Sequence, residues 1–222
     1  MKKFILAILP LLLVSITALA QLEKGNLLLG GGLGISSQSS LAEGPVPSEI
    51  RYSNFYFNPM AGYFFQNKWV VGLNFPISYQ VENSSSTPIG GNDIQEQLKR
   101  SYFGVGPFVR KYFTINEKMA FFAQGQASFG KSVTDWIMDR DYTDRDARYE
   151  SKSINLVGTL GLVVFPKDWF SINLMVNPLI YNYQIRNEDR SGNIYEIKDS
   201  GFEFGFNSNL IGLGANFFLS KK

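Results

Sequence analysis

The sequence predicts an all-β fold, an eight-stranded antiparallel up-and-down transmembrane β-barrel, and three observations carry that prediction. Large apolar residues alternate with small or polar ones in segment after segment; Trp69, Val71, Leu73, Phe75, Ile77, Tyr79 and Val81 alternate with Gly72, Asn74, Ser78, Gln80 and Glu82. This is the period of a strand with one greasy and one wet face. The connections between such segments are by turns very short and long, and an export-like segment precedes them all.

That leading segment has Lys2 and Lys3, an apolar run from Phe4 to Ile16, and Ala18-Leu19-Ala20 before Gln21. Charged, hydrophobic and small-residue parts in that order are the pattern of a secretory signal peptide. The run is shorter than the ~20 apolar residues a spanning helix needs. The expected organisation is therefore a cleaved signal over residues 1–20 and a single barrel domain over 21–222. The formal charge of +2 comes from 21 basic and 19 acidic residues, so losing Lys2 and Lys3 leaves 19 against 19. A neutral chain gives no electrostatic case for nucleic acid.

Strands are expected near 25–36, 53–65, 69–82, 101–115, 119–133, 152–165, 169–184 and 202–219. In the first, Leu27, Leu29, Leu33 and Ile35 face outward and Gly30, Gly32 and Gly34 inward. The second turns Phe55, Phe57, Ala61, Tyr63 and Phe65 outward, with Asn54, Asn58 and Gly62 inside. Phe103, Val105, Val109 and Phe113 oppose Gly104, Gly106 and Arg110 in the fourth; Phe121, Ala123, Ala127 and Phe129 oppose Gln124, Gln126 and Ser128 in the fifth. The sixth and seventh give Ile154, Leu156, Leu160, Leu162, Phe170, Ile172, Leu174 and Val176 outside, with Asn155, Thr159, Ser171, Asn173 and Asn177 inside. The last strand changes parity between Phe202, Phe204, Phe206 and Leu213, Ala215, Phe217, Leu219. Either a bulge near Asn207-Ser208-Asn209 switches its face, or a short strand begins after Asn209. Pro59, Pro76, Pro107 and Pro178 fall inside strands, where proline belongs at edges and bulges.

The short connections are Gln66-Asn67-Lys68, Asn116-Glu117-Lys118 and Pro166-Lys167-Asp168, recurring every fifty residues. The others, near 37–52, 83–100, 134–151 and 185–201, are expected to be long polar loops. Sorting of this kind with an even strand count is the plan of a bacterial outer-membrane barrel. No apolar run after residue 20 reaches ~18 residues, which removes a helical membrane protein and leaves only a closed barrel able to cross a bilayer. Phe65, Phe113 and Phe165 precede short turns and Trp69 and Trp169 follow them, so these five are candidates for the aromatic girdle at a membrane interface.

Candidate chemistry is sparse. Histidine and cysteine are both absent, which removes the commonest general base, the Ser-His-Asp arrangement, disulfides and thiolate metal sites. The carboxylates Glu82 and Glu203 stand near strand ends, where a solvated charge is the default. Gly30-Gly31-Gly32-Leu33-Gly34 has the glycine spacing of a phosphate loop but lies within a strand, with no lysine or helix after it. Asp139, Asp141, Asp144 and Asp146 are weak candidates for calcium, which favours several oxygen ligands; Arg140, Arg145 and Arg148 are interleaved with them, and a mutually paired surface loop is the preferred reading. Arg110 is the strong cation expected in the lumen, in a filling role that needs hydrogen-bonding partners. No cofactor or metal is expected.

Three segments carry a resemblance: Phe55-Tyr56-Phe57-Asn58-Pro59 with Gly62-Tyr63-Phe64, then Gly104-Val105-Gly106-Pro107-Phe108-Val109-Arg110-Lys111-Tyr112-Phe113, and Phe121-Phe122-Ala123-Gln124-Gly125. With them nearly the whole chain after the signal resembles the small outer-membrane β-barrels of Gram-negative bacteria, of the OmpX-like and opacity-like plan. The motifs are structural, so the resemblance implies a fold and a location and is nearly silent on activity. Most such barrels end in an aromatic residue, whereas this chain ends Phe217-Phe218-Leu219-Ser220-Lys221-Lys222.

The expected location is the bacterial outer membrane, and the expected role non-enzymatic, structural or surface-interacting. The partners expected are outer-membrane lipids and lipopolysaccharide, with an extracellular or envelope protein meeting the long loops. Two alternatives stand beside this reading. One is transport of a small solute or hydrophobic ligand through or into the barrel, against which eight strands leave an interior that side chains nearly fill. The other is a secreted soluble barrel that binds an apolar ligand.

Overall fold

A computed structural model describes residues 20–42, 47–86, 94–139, 147–190, 193–205 and 211–220. Ten strands are assigned: β1 (Leu27–Ala42), β2 (Ser48–Gln66), β3 (Trp69–Asn74), β4 (Ile77–Ser86), β5 (Ile94–Asn116), β6 (Met119–Asp139), β7 (Ala147–Lys167), β8 (Phe170–Arg190), β9 (Asn193–Phe204) and β10 (Ile211–Leu219). They make eight staves. β3 and β4 are one stave interrupted at Phe75-Pro76, and both pair with β2 and β5. β9 and β10 are another, and both pair with β8. Every pairing is antiparallel between neighbours in the chain, except that β10 pairs with β1 and closes the ring.

Proline and inserted residues explain the interruptions. Pro76 has no N–H to give the ladder, so the break in the third stave falls there. At Pro178, β8 carries an extra residue opposite β7, with Gly158 facing Leu179 and Leu160 facing Val176. On its other side Leu179 faces Phe204 while Val176 faces Ile211. Six residues of the chain thus separate Phe204 from Ile211 in the last stave, where two separate Val176 from Leu179 in β8. That insertion switches the outward set from Phe202 and Phe204 to Leu213, Phe217 and Leu219, the parity change visible in the sequence; Phe206–Asn209 themselves lie outside the described residues.

The expectation of four long loops is corrected. Regular ladders run through most of them: β1 and β2 pair out to Ala42 and Ser48, β4 and β5 to Ser86 and Ile94, β6 and β7 to Trp136 and Ala147, and β8 and β9 to Arg190 and Asn193. Beyond the barrel wall both faces of such a hairpin meet water, so the apolar alternation that marks a strand is lost while the backbone hydrogen bonds persist. At the opposite end the turns are tight. Lys68 takes a left-handed φ of 68°, Asn116 Oδ1 accepts the Lys118 N–H at 2.9 Å, and each turn is flanked by a register shift.

The wall has an apolar outside and a mixed inside. All of the outward residues named for β1, β2 and β5 are exposed large hydrophobics apart from Ala61. A strand crosses a bilayer in roughly 9–11 residues, the span from Phe55 to Phe65. Further along, outward positions become charged at Arg51, Lys99, Lys131 and Lys152. Inside, the short-turn end is filled by Leu22, Leu28, Phe64, Val70, Phe108, Tyr112, Phe122, Val163, Phe165 and Phe218. Residues 20–26 lie across this end, with the Leu22 carbonyl accepting the Lys68 N–H at 2.7 Å and the Phe64 carbonyl accepting the Gly25 N–H at 2.9 Å. The lumen is therefore a cup, closed by packed side chains at the turn end.

Candidate functional site: the luminal cup and the barrel exterior

Arg110 lies at the junction between the apolar plug and the polar space above it, and only 1% of its surface is exposed. Its Nε donates to Gln124 Oε1 at 2.7 Å, Nη1 to the Tyr112 hydroxyl at 3.0 Å and Nη2 to Met60 Sδ at 3.3 Å. The guanidinium carbon lies 4.2 Å from the centre of the Phe122 ring. A buried cation must be compensated, and here the amide, the phenol and the ring faces do it, since no carboxylate lies within ion-pair distance among the described residues. Gln124 passes the network on, donating to Gln126 Oε1 at 2.8 Å.

Above that floor opens a cavity of about 670 Å³. Its walls carry amides and hydroxyls from every stave but the last, with the phenols of Tyr52, Tyr56 and Tyr102 among them and Met60, Val157, Met175 and Ile180 between them. Many of these groups satisfy one another: Thr159 Oγ1 donates to Asn177 Oδ1 at 2.7 Å and Asn155 Nδ2 to the Tyr102 hydroxyl at 3.0 Å. Asn58 differs. It is 5% exposed, and its Oδ1 has no hydrogen-bond partner. The single formal charge among the described lining residues is Arg100, whose Nε donates to Thr134 Oγ1 at 3.4 Å.

The five sequence-selected aromatics divide. Phe65, Phe113 and Trp169 are exposed on the outer surface beside the short turns, and Trp69 is half-buried there. Phe65 packs on Trp69 at 6.3 Å, and Trp169 stacks on Phe217 at 6.0 Å. The Lys111 ammonium stands 4.8 Å from the Trp69 ring and 5.1 Å from that of Phe113, its stem lying along the apolar wall. Phe165 is a correction. It is 4% exposed and packs inside the plug, 5.6 Å from Phe218. Its parity made this legible, because Leu160 and Leu162 point outward and Phe165 lies an odd number of residues from both.

Asp141, Asp144 and Asp146 lie outside the described residues, as does the side chain of Asp139. The described hairpins carry exposed ion pairs, among them Lys131 with Glu150 at 2.7 Å and Arg51 with Glu49 at 2.6 Å. The Arg51 guanidinium holds the Glu49 carboxyl below its ordinary range, chiefly through that hydrogen bond.

Sequence reasoning missed the most distinctive feature of the wall. β1 pairs with β10 only as far as Leu33 opposite Leu213. Beyond that point β1 bonds only to β2, and β9 only to β8. No backbone pairing among the described residues joins the first and last staves there, and residues 206–210 of the last stave lie outside the described residues. The four most exposed large hydrophobics among the described residues, Ile35 at 79%, Phe204 at 72%, Phe202 at 67% and Leu41 at 66%, all stand on these two stretches. Leu33 and Ile35, whose side chains are exposed on the outer face, belong to the stretch of β1 that borders the luminal cavity. The signal available in the sequence was the parity change between Phe204 and Leu213 in the last stave.

No protein-family model matches the chain, and no curated protein matches it significantly. Among solved structures, Neisserial surface protein A aligns over 87% of this chain and 97% of its own, with 14% identity and a TM-score of 0.39. The outer membrane protein OprG from Pseudomonas aeruginosa aligns over 90% and 98%, with 12% identity and a TM-score of 0.44. Ail, the attachment invasion locus protein of Yersinia pestis, aligns over 88% and 99%, with 17% identity and a TM-score of 0.33. The fold assignment stands on the closed hydrogen-bond ladder, and these three are proteins to which the chain is similar in outline.

Proposed function

We propose that this chain is an integral outer-membrane barrel with a structural or surface-interaction role, anchored by its apolar wall and presenting four β-hairpins outside the cell. The observation that carries the reading is the inversion of polarity across the wall. Phenylalanine, leucine, isoleucine and valine cover the outer face of the staves, while the inner face carries amides and hydroxyls above an apolar plug. A soluble barrel buries its apolar side chains and exposes its polar ones, and a contiguous apolar belt of this extent in water is an aggregation surface. In lipid the belt is solvated, and a ring closed by β1 and β10 leaves no ladder edge at the turn end.

On this reading Phe65, Trp69, Phe113 and Trp169 form the periplasmic girdle, the signal over residues 1–20 is removed, and the hairpins meet lipopolysaccharide or an envelope protein. No catalytic step belongs to it. The chain's lack of native cysteine makes a topology test clean. Ser39→Cys and Ser84→Cys, on hairpins, should react with a membrane-impermeant maleimide on intact cells, whereas Lys118→Cys in a short turn should react only after permeabilisation. The purified protein should float with lipid vesicles and show a heat-dependent gel shift. Recovery in the soluble fraction, without flotation, would overturn the reading.

A further inference from the structure

We propose that the luminal cup binds a small acidic sugar, a ring carrying several hydroxyl groups and one carboxylate, with Arg100 taking the anionic group. The inference takes the membrane-embedded barrel above as its setting and adds to it a binding site and a ligand class.

Arg100 is the anchor. It lies half-buried in the cavity wall, and its one side-chain hydrogen bond among the described residues runs from Nε to the neutral Thr134 hydroxyl at 3.4 Å. Both terminal nitrogens are left, and together they form the end of a planar fork that a carboxylate accepts in bidentate fashion. Among the described residues no carboxylate lines the cup; Glu82, two residues farther along β4 than Gln80, stays outside the lining and makes no ion pair with Arg100. Arg110 adds a second positive charge beneath the floor, held there by Gln124, Tyr112 and Met60. Two guanidiniums inside a wall of low dielectric give the cup a positive potential, which raises the local concentration of an anion.

The groups around Arg100 specify the rest of the ligand. Antiparallel register sets Arg100 opposite Gln80 and Gln80 opposite Asn54, so three cavity-lining residues stand in a row on β5, β4 and β2. One step deeper, Tyr102 with Ser78 on one side and Ser132 on the other makes a second row of lining residues. Neighbouring staves lie about 4.8 Å apart, a spacing comparable with the distance across a pyranose ring. The amides and hydroxyls can each donate and accept, as the hydroxyl groups of a sugar do. The Tyr102 hydroxyl already accepts from Asn155 Nδ2 at 3.0 Å, so its own proton is left to donate. A simple inorganic anion would leave these flanking groups unused, and a neutral sugar would leave Arg100 unpaired. A ring that bears both kinds of group engages both. The cavity, at about 670 Å³, falls within the range of small-molecule sites.

The test uses the full chain in phosphatidylcholine nanodiscs, with radiolabelled glucuronate as the probe in equilibrium dialysis and empty nanodiscs as the baseline. Saturable retention above baseline is expected, weakening as salt is raised, with glucose and acetate each competing at least about tenfold more weakly than unlabelled glucuronate. Arg100→Gln should weaken glucuronate by about tenfold or more and remove its advantage over glucose, a change that a merely structural arginine would not produce. Arg100→Lys, which keeps the charge and loses the fork, should fall between the two. Equal competition by glucose in the wild type would overturn the anionic group, equal competition by acetate would overturn the sugar ring, and retention equal to empty discs would overturn the site. The wild-type competition stands even where a variant fails to fold. Flotation and the gel shift report insertion separately, so an inserted barrel that binds nothing sinks this inference and leaves the membrane reading standing.

Discussion

Arg110 shows how one side chain can organise a barrel interior with no ionic partner among the described residues. A guanidinium carries five donors in a fixed fork, and here three of its nitrogens reach an amide, a phenol and a thioether while its face lies on Phe122. Replacing it by alanine removes the charge, leaves Gln124 Oε1 unpartnered and opens a space between the plug and the cup. Arg110→Ala should therefore lower stability by about 2–4 kcal/mol, and Arg110→Met, which refills the volume, by less. Urea unfolding of the detergent-solubilised barrel, followed by tryptophan fluorescence, measures both; equal effects would mean that the cost lies in the lost hydrogen bonds and not in packing. The same scale accounts for Phe165. Its rank beside a turn suggested the girdle, but parity along β7 decides the face, and parity puts it inside.

Among the elements, the staves are set by how closely their backbones can pass. A methyl group at Gly106 of β5 would stand 1.7 Å from the Ala127 carbonyl oxygen and 2.6 Å from Ser128 Cα of β6. The obstacle is backbone, which cannot turn aside as a side chain can. Here β5 also carries Pro107, and the ladder to β6 passes from Val105–Phe129 to Phe108–Gln126 without the two pairs between. Gly106→Ala should push the staves apart and destabilise the barrel by about 1–3 kcal/mol, seen as a lower temperature for loss of the folded gel band. Gly125→Ala, with nothing within 4 Å of the new methyl, is the matched control and should leave that temperature nearly unchanged. The hairpins are the elements least visible in the sequence. Segments such as Ser36–Ala42 and Lys99–Ile94 lack a buried face, so no periodicity marks them, and only the ladder to the neighbouring strand holds them extended.

For the whole molecule, the plug decides between a cup and a channel. Leu22, Phe64, Phe122, Phe165 and Phe218 pack across the turn end, and ring contacts of 5.6–6.2 Å run from Tyr112 through Phe64 and Phe218 to Phe165. The wild-type protein in a planar bilayer is expected to show no stable conductance step. Combined Phe64→Ala, Phe122→Ala and Phe218→Ala replacement should introduce one, provided the heat-dependent gel shift persists. A steady open step from the wild type would mean that the plug does not fill the lumen. The plug is also the part of the interior that composition alone conceals, because its aromatics alternate along their strands just as lipid-facing ones do.

By itself the sequence determined the all-β class, the stave count, the inward and outward sets along most strands, and the place where the last stave changes face. These follow from a two-residue period and from the chemistry of proline and tight turns, which are local and therefore written in order along the chain. Tertiary structure alone decided that the lumen is closed at one end, that Asn58 Oδ1 has no hydrogen-bond partner among the described residues, that Phe165 packs on Phe218, and that β10 closes the ring on β1 from Leu27 to Leu33. Each of these depends on which residues from distant strands come to the same height, and that is fixed by the stagger of one stave against the next around the closed ring, a quantity no single segment carries.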